Sequence, residues 1–316
     1  MIVSEFMNSW LENKKADLQL STYEAYTVYL SKHINPYFDK LNKPLEALKP
    51  IDIKNYVTAK RNGGRKDNKK GGLSHASVQK HLNVIKQALK EAVLLEYIAS
   101  SPASYVTLPR KNNISEKARF ISITEAIKIQ QAFKGHFMFP LVCITLMYGL
   151  RRSEVLGLKW SAIDFENRSL EIKHTVVKNL TIEAKNSTKT ESSHRTFPLL
   201  NDAIEVLKNI PRSNNSKDSY VFSRADGTPL RPDSVTRTFQ RVLKANGLEK
   251  MRFHDLRHAT ASILFDKEWS VADVQHWLGH TDIETTMNIY VKYNCTRKLK
   301  VGGALEGLFL TSQKVE

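Results

Sequence analysis

Cysteine is nearly absent from this chain of 316 residues, which contains only two, Cys143 and Cys295. Neither has a second cysteine or a histidine at the short spacing of a zinc site, and two distant cysteines argue against a disulfide scaffold. Cys143 lies in an apolar run and is predicted to be buried. The scarcity of cysteine fits a reducing compartment, so the sequence predicts a cytoplasmic protein.

Long apolar runs and phosphate-binding glycine loops are also missing. No stretch approaches the roughly 20 apolar residues that a membrane-spanning helix needs, and the first residues do not form a signal peptide. The sequence has no Walker-type loop and no cluster of carboxylates suited to magnesium. It therefore predicts a protein without a membrane partner, a metal or a cofactor.

Acidic residues are too few to balance the basic ones. The chain has 48 Lys and Arg against 32 Asp and Glu, which gives a formal net charge of +16. An excess of this size favours a polyanionic partner, with nucleic acid ahead of a membrane surface. A protein that is merely basic has the same charge, so the partner must be inferred from motifs.

The chain divides into two predicted blocks. Residues 1–108 have helical patterns, including a helix from Ser21 to about His33 that ends before Pro36 and a long amphipathic helix from Ser74. Residues 109–115 are predicted to be a linker. Residues 116–316 combine helices with strands near 169–174, 180–183 and 195–199. The predicted fold is mainly α with a small antiparallel sheet, of the α+β class, in two domains.

A basic loop rich in glycine lies at residues 61–72, between two predicted helices of the first block. His81 and nearby lysines are predicted to lie on the exposed face of the helix that follows. A solvated loop that prevents aggregation is the simpler interpretation, but the net charge favours contact with DNA phosphates. The predicted DNA-binding side chains are Arg65, Lys66, Lys69, Lys70, Lys80 and Lys86.

The chemically informative residues lie near the end of the chain. His254 and Arg257, then Leu278-Gly279-His280, then Tyr290, follow one another on predicted helices. Cations and imidazoles around a hydroxyl nucleophile suit attack on a phosphodiester. Two alternatives stay open at this point. The adjacent His254-Asp255 pair is also found in metal-dependent phosphohydrolases, although further ligands are not evident, and Tyr293 is a rival nucleophile.

Four motifs together resemble the tyrosine recombinase, or phage integrase, family. They are Gly-Leu-Arg-Arg-Ser-Glu at 149–154, Thr-Lys-Thr with Ser-x-Arg-x-x-Pro-Leu at 188–199, His-Asp-Leu-Arg-His-Ala-Thr at 254–260, and Leu-Gly-His followed by tyrosine at 278–290. Each motif is weak alone, but their order and spacing make the combination specific. The resemblance covers about residues 121–293, and the first block resembles the family's core-binding domain only in its helical pattern.

The resemblance implies which groups hold the phosphate. Arg151 and Arg257 match the two catalytic arginines, which bind the non-bridging oxygens and offset charge in the transition state. His280 matches a position that adds a hydrogen bond there. Glu154 matches an acidic position and is expected to support these residues without reacting.

The resemblance also implies the route of the protons. Tyr290 matches the nucleophile, because its distance from the Leu-Gly-His motif selects it over Tyr293. His254 is expected to accept the phenolic proton, and Lys189 to protonate the departing 5′ oxygen. Lys185 is an alternative to Lys189, since a hairpin register is hard to derive from one sequence. The expected product is a 3′-phosphotyrosine link.

The resemblance implies a C-shaped clamp around double-stranded DNA and a homo-tetramer that joins two duplexes through a Holliday junction. The apolar segment 302–310 is expected to dock on a neighbouring copy or on its own subunit. The wording of the motifs favours a mobile-element integrase, with accessory excision or bending factors as further partners. The alternatives are a Xer-type resolvase of chromosome or plasmid dimers, a type IB topoisomerase, and a DNA-binding regulator without catalysis.

Overall fold

The computed structural model describes residues 1–67, 70–109, 121–178, 182–185, 194–212, 216–279, 283–284, 286–287 and 289–291, with the backbone alone at 177–178 and 182–185. The chain separates into two compact units, Met1–Ser115 and Glu116–Glu316. The described residues are mostly helical, with short antiparallel strands in the second unit, so the predicted fold class is confirmed.

The first unit is built from helices around one apolar core. In the long helix, Val78, Leu82 and Ile85 are buried at spacings of three and four residues, and Ser74 caps the helix by accepting a hydrogen bond from the Ser77 amide at 3.1 Å. The predicted amphipathic helix is therefore confirmed. The helices of this unit are α1 (Val3–Asn13), α2 (Leu20–Tyr29), α3 (Asn35–Leu41), α4 (Pro50–Asn62) and α5 (His75–Leu94).

The predicted helix end before Pro36 is wrong. A π-helical segment, Leu30–Ile34, joins α2 to α3, and Pro36 lies in the first turn of α3. Proline has no amide proton to donate, and it is tolerated at the start of α3, where the π-helical pattern of the preceding segment gives way to the α-helical pattern. Helical backbone therefore runs from α2 through to Leu41.

The prediction that His81 is exposed is also wrong, since the side chain is only 2% exposed. Its Nδ1 lies 2.8 Å from the Tyr56 hydroxyl of α4, and its ring lies 5.0 Å from that of His33. Burial, followed by the positive charges of His33 and Lys60, lowers the pKa of His81 to about 4. The imidazole is therefore neutral and forms part of the packing between α4 and α5.

The second unit has seven labelled helices and five labelled strands in its described part. Two strands were not predicted: β1 is only two residues long, and β3 begins two residues after β2 and merged with it in the sequence pattern. Strands β1, β2 and β5 form an antiparallel sheet in that order, and β3 pairs with β4 as a hairpin. The elements are α6 (Ile123–Ala132), α7 (Phe139–Tyr148), α8 (Arg152–Gly157), β1 (Ile163–Asp164), β2 (Ser169–Ile172), β3 (Thr175–Lys178), β4 (Ile182–Lys185), β5 (Arg195–Pro198), α9 (Asn201–Lys208), α10 (Pro232–Ala245), α11 (Asp255–Asp266) and α12 (Val271–Leu278).

Three aromatic rings join the segments that carry the sequence motifs. Tyr148 at the end of α7 lies 5.2 Å from Phe197 on β5 and 6.2 Å from Trp277 on α12, as ring centroids. The Tyr148 hydroxyl also donates to the Pro198 carbonyl at 3.3 Å and accepts from the Leu200 amide at 3.0 Å. These contacts hold the ends of α7, β5 and α12 together.

Cys143 is buried within α7, as predicted. In the part of the chain that the structure describes, none of the helices combines the length and the apolar character needed to cross a bilayer.

Candidate active site

The turn between α7 and α8 places the first motif arginine. Gly149 ends α7 in the left-handed conformation, with φ of 62°, and its amide donates to the Thr145 carbonyl at 2.9 Å. A Cβ at this position would lie 2.3 Å from Leu278 Cδ2, so the close approach of α12 also favours glycine. The reversal puts Arg151 at the position before α8.

Arg151 is bound from two directions. Its backbone amide and its Nη1 donate to the two carboxylate oxygens of Glu154 at 2.8 and 2.6 Å. Its Nη2 donates to the Gly279 carbonyl at 3.0 Å, just past the end of α12. The side chain is still 31% exposed, so the guanidinium keeps a face that a ligand can approach.

Glu154 is 1% exposed and is shared by two arginines. Besides Arg151, Arg195 of β5 donates from Nη1 to Oε1 at 3.2 Å and from Nη2 to Oε2 at 2.9 Å. Burial acts to raise the pKa of Glu154, but the hydrogen bonds and charge of Arg195 and the charge of Arg151 outweigh it and lower the pKa to about 2. The carboxylate is ionised at neutral pH.

Arg257, in the first turn of α11, is fully buried. Its Nη1 donates to the Gly149 carbonyl at 2.7 Å and its Nη2 to the Leu278 carbonyl at 2.5 Å. These carbonyls lie at the ends of α7 and α12, where helices carry partial negative charge. Burial and the nearby charge of Arg151 lower the pKa of Arg257 to about 9, which still leaves the guanidinium charged at neutral pH.

Arg151 and Arg257 therefore converge on the same two helix ends. Each binds a carbonyl at the C-terminal end of α12, and Arg257 also binds the turn from which Arg151 projects. Arg151 and Arg195 bind one carboxylate, Glu154, whose negative charge also acts on Arg257. The cluster keeps an excess of positive charge, which suits an anionic ligand.

His254 immediately precedes α11, and its side chain reaches the surface. Its ring lies 5.2 Å from that of His258, one turn further along the helix. Desolvation by the surrounding protein, followed by the positive charges of His258 and Arg257, lowers the pKa of His254 to about 4. The imidazole is thus a neutral group beside the arginine cluster.

Tyr290 lies on a helical stretch at residues 289–291. Its ring packs edge-on to Phe265 of α11, with 5.2 Å between centroids, and the neighbouring Ile289 is buried. Phe265 and Arg257 lie at opposite ends of α11, about 12 Å apart along the axis. Among the described residues, the structure brings the arginines, Glu154 and His254 together and packs the Tyr290 ring against the other end of the same helix.

Four of the predicted residues lie outside the described residues: Lys69, Lys189, His280 and the rival nucleophile Tyr293. At the alternative Lys185, only the backbone is described, as the last residue of β4. Of the predicted DNA-binding residues in the first unit, Lys66, Lys70 and Lys80 are exposed.

The other two predicted DNA-binding residues have partners within the protein. Arg65 is exposed and donates to both carboxylate oxygens of Asp67, from Nε at 2.8 Å and from Nη2 at 2.6 Å. Lys86 is half-buried, and its Nζ lies 3.5 Å from the Ser104 carbonyl. These two side chains are less available to DNA than the three exposed lysines.

No role was predicted for Arg195 from the sequence, although the residue belongs to the Ser-x-Arg part of the second motif. A signal was present: an arginine at the start of a strand, shortly before the proline that ends it, lies in the same motif as the candidate lysine. Only the packing of β5 against α8 reveals its partner.

Comparison with known proteins matches both parts of the chain to one family. Residues 116–297 match the phage integrase family, and residues 2–60 match the N-terminal SAM-like domain of phage integrases. A XerC-like tyrosine recombinase of Caldanaerobacter subterraneus subsp. tengcongensis is 26% identical over 335 residues, which cover 98% of this chain and 83% of that protein. The ICEBs1 integrase of Bacillus subtilis is 26% identical over 300 residues, which cover 89% of this chain and 76% of that protein.

Solved structures share the fold. The Tn1549 transposon integrase in complex with transposon right end DNA has a TM-score of 0.75 at 18% identity, over 96% of this chain and 100% of that one. A lambda integrase tetramer bound to a Holliday junction has a TM-score of 0.67 at 19% identity, over 89% and 78%. Because the family match spans more than half of the chain, this protein belongs to the phage integrase family and is a tyrosine-type site-specific DNA recombinase.

Proposed function

We propose that this recombinase cuts DNA by joining the Tyr290 oxygen to a 3′ phosphate, and that Arg151 and Arg257 bind the phosphate as it reacts. The observation that carries the proposal is the convergence of these two guanidinium groups on the ends of α7 and α12. A phosphodiester carries one negative charge and gains a second in its five-coordinate transition state. A buried, positively charged cluster stabilises that second charge more strongly than water does.

The proposed step exchanges one oxygen on phosphorus for another. The Tyr290 oxygen bonds to phosphorus while the bond to the 5′ oxygen breaks. His254 accepts the phenolic proton, Lys189 donates a proton to the 5′ oxygen, and His280 adds a hydrogen bond to the phosphate. Attack of a 5′ hydroxyl from another strand reverses the step, so the energy of the broken bond is kept in the phosphotyrosine link.

The state of His254 supports its role as proton acceptor. With a pKa of about 4, the free imidazole is unprotonated at neutral pH. The positive charges of His258 and Arg257 contribute to this low value, and a bound phosphate offsets them. Phosphate binding therefore raises the proton affinity of His254 at the step that needs it.

Outside the active site, the exposed Lys66, Lys70 and Lys80 contact the DNA backbone, together with Arg65, Lys69 and Lys86. The helical domain, residues 1–108, and the catalytic domain, residues 116–316, both contact the duplex and are joined by the linker 109–115. Four copies act on two duplexes, because each copy supplies one tyrosine and recombination requires four cuts. The protein acts on nucleoid DNA in the bacterial cytoplasm, with an accessory excision or bending factor.

Integration and excision of a mobile element is the reaction we favour. The ICEBs1 integrase and the integrase of Staphylococcus phage L54a are among its relatives. Resolution of chromosome or plasmid dimers is the second candidate, because the XerC-like relative aligns with 98% of this chain. An integrase recombines an element end with a different target, whereas a resolvase recombines two copies of one site. Plasmids that carry either pair of sites distinguish the two.

Covalent capture on a nicked suicide substrate tests the nucleophile. The substrate comes from DNA flanking the protein's own gene, and the DNA-linked peptide is then mapped. We expect Tyr290→Phe to lose covalent capture while it still binds the site. The matched control Tyr293→Phe is expected to keep wild-type capture. Covalent complexes that persist in Tyr290→Phe and vanish in Tyr293→Phe would assign the role to Tyr293.

A further inference from the structure

We propose that Arg195 is a positioning residue for recombination, which holds Glu154 so that this carboxylate orients the Arg151 guanidinium toward the reacting phosphate. The inference rests on the proposed function, in which Arg151 binds that phosphate. It adds a residue on β5 to the described part of the site, which otherwise lies on helices and at their ends.

The carboxylate of Glu154 is held by four donors. Arg195 binds Oε1 and Oε2 with its two Nη atoms, at 3.2 and 2.9 Å. Arg151 binds the same oxygens with Nη1 and with its backbone amide, at 2.6 and 2.8 Å. A carboxylate accepts about four hydrogen bonds, so these donors fix its plane and its rotation. Removal of the two from Arg195 frees the carboxylate to turn, and the Arg151 guanidinium turns with it.

The position of Arg195 is itself well defined. Its guanidinium lies 5.2 Å from the Phe197 ring centroid, and Phe197 packs against Trp277 at 5.0 Å. The backbone of Arg195 pairs with Ile172 of β2. The side chain is 10% exposed, so solvent competes little for its hydrogen bonds. Arg195 therefore provides a rigid support, and Glu154 transmits its position to Arg151.

The charges give Arg195 a second effect. A buried carboxylate paired with one arginine neutralises that arginine, and the pair attracts a phosphate weakly. Here Glu154 is shared between Arg151 and Arg195, so the three groups together keep one positive charge. Replacement of Arg195 by a neutral residue leaves Glu154 to neutralise Arg151 alone. The loss of this net positive charge destabilises the charged transition state more than it weakens binding of the long DNA backbone.

The test compares Arg195→Lys, which keeps the charge but loses the two-point contact, with Arg195→Gln, which loses both. Cleavage of a suicide substrate is measured in single turnovers with saturating protein, and DNA binding is measured in the Tyr290→Phe background. We expect cleavage to slow about 10-fold in Arg195→Lys and about 100-fold in Arg195→Gln. Binding is expected to change less than about twofold, because backbone contacts elsewhere dominate affinity.

Arg224→Gln is the matched control, since it removes an arginine that pairs with Asp226 on the exposed surface of the same unit. It is expected to cleave at the wild-type rate. If both Arg195 variants unfold, the double variant Glu154→Gln/Arg195→Gln removes the buried carboxylate together with this partner and is measured in the same way. We expect it to fold and to remain slow. Wild-type cleavage by a folded Arg195 variant would overturn the proposal.

Substrate chemistry separates positioning from a merely structural role. A methylphosphonate at the cleavage site replaces a charged oxygen by methyl and reduces the need for a cation. If Arg195 acts through Arg151, most of the difference between wild type and Arg195→Gln disappears on this neutral substrate. A 5′-phosphorothiolate, whose leaving group needs no proton, is expected to leave the difference unchanged. If the 5′-phosphorothiolate but not the methylphosphonate restored cleavage by Arg195→Gln to the wild-type rate, Arg195 would be assigned to proton donation and the proposal would be overturned.

The roles of Tyr290 and Arg195 are tested by different outcomes. Covalent capture by Tyr290→Phe contradicts the proposed function, whatever the Arg195 variants do. The role of Arg195 alone is contradicted if Tyr290→Phe loses covalent capture as expected, while Arg195→Gln slows cleavage by the same factor on charged and neutral phosphates.

Discussion

His254 carries an imidazole whose proton affinity depends on its neighbours. In the DNA-free protein, desolvation and the adjacent cations hold its pKa near 4. We predict that this pKa rises when DNA binds, because the phosphate introduces negative charge beside those cations. Histidine NMR titration of the Tyr290→Phe protein, free and bound to its site, measures both values. The imidazole is neutral above its pKa, so the acid limb of the cleavage rate is expected to follow the DNA-bound value.

The same measurement on His254→Gln serves as the control, since this variant lacks the titrating signal. Its cleavage rate is expected to be lower and to lose the acid limb. An unchanged or lower pKa of His254 in the complex would contradict the placement of the reacting phosphate beside it.

The junction of α7 with α12 depends on Gly149. We predict that Gly149→Ala lowers the free energy of unfolding by about 2–5 kcal/mol, from left-handed strain and from the contact with Leu278. The cleavage rate of the folded variant should also fall, because the Gly149 carbonyl accepts a hydrogen bond from Arg257. Gly247→Ala is the matched control. Its φ is 67°, and a Cβ added there would meet none of the described residues within 4 Å, so Gly247→Ala should cost only about 1–2 kcal/mol.

Urea unfolding and suicide-substrate cleavage measure the two effects of Gly149→Ala. Equal losses of stability in the two glycine variants would show that the approach of α12 to the turn is not tight. Normal cleavage by a destabilised Gly149→Ala would show that the position of its carbonyl does not matter to Arg257.

The packing of α4 against α5 depends on a neutral His81. Its pKa is about 4 in the folded unit and about 6.5 in an unfolded chain, so the unfolded chain takes up a proton first. The full stability is present above pH 6.5 and is lost as the pH falls from 6.5 to 4, by on the order of 3 kcal/mol. We predict that His81→Asn removes most of this dependence. Hydrogen exchange of the α4 and α5 amides at several pH values measures this pH dependence of stability within the first unit.

His75→Asn is the control for that measurement. His75 is a half-buried histidine at the start of the same helix, and its Nε2 lies 3.2 Å from the Pro109 carbonyl. The His75→Asn variant is expected to keep the wild-type dependence of stability on pH between pH 4 and 6.5. A slope that persists in His81→Asn would assign the effect to other titrating groups, with His33 of the π-helical segment next in line.

A net charge of +16 makes DNA affinity strongly dependent on salt. Each phosphate contact contributes about 0.9 to the slope of log K against log salt, so Lys66→Gln/Lys70→Gln is predicted to lower that slope by about 2. Arg65 is expected to contribute less, because it is paired with Asp67. Fluorescence anisotropy of the Tyr290→Phe protein at several salt concentrations measures the slope.

Lys15→Gln/Lys54→Gln removes the same charge from two exposed lysines of the first unit that lie outside the basic loop. This control should leave the slope nearly unchanged. Equal effects in the two pairs would mean that net charge, rather than contact by the loop, accounts for the salt dependence.

Much of the fold could be predicted from local pattern. The stripe of Val78, Leu82 and Ile85 specifies one buried face, and a serine cap marks the start of α5. The π-helical connection before α3 could not be predicted, because a proline in a first turn and a proline after a helix end look alike in sequence. The exposure of His81 was mispredicted because a histidine is compatible with either face and its partner, Tyr56, is on another helix.

By itself, the sequence determined the type of chemistry. The informative features are local: a glycine turn before Arg151, a spacing that puts His254 and Arg257 at the start of one helix, and a tyrosine after Leu-Gly-His. Such features can be recognised in the sequence without knowing how the chain packs. Only the tertiary structure decided which charges meet. The Glu154 carboxylate shared with Arg195, and the carbonyls that hold Arg257, come from residues far apart in the chain. Such contacts depend on how α7, α12 and β5 pack, and no spacing in a single segment specifies that.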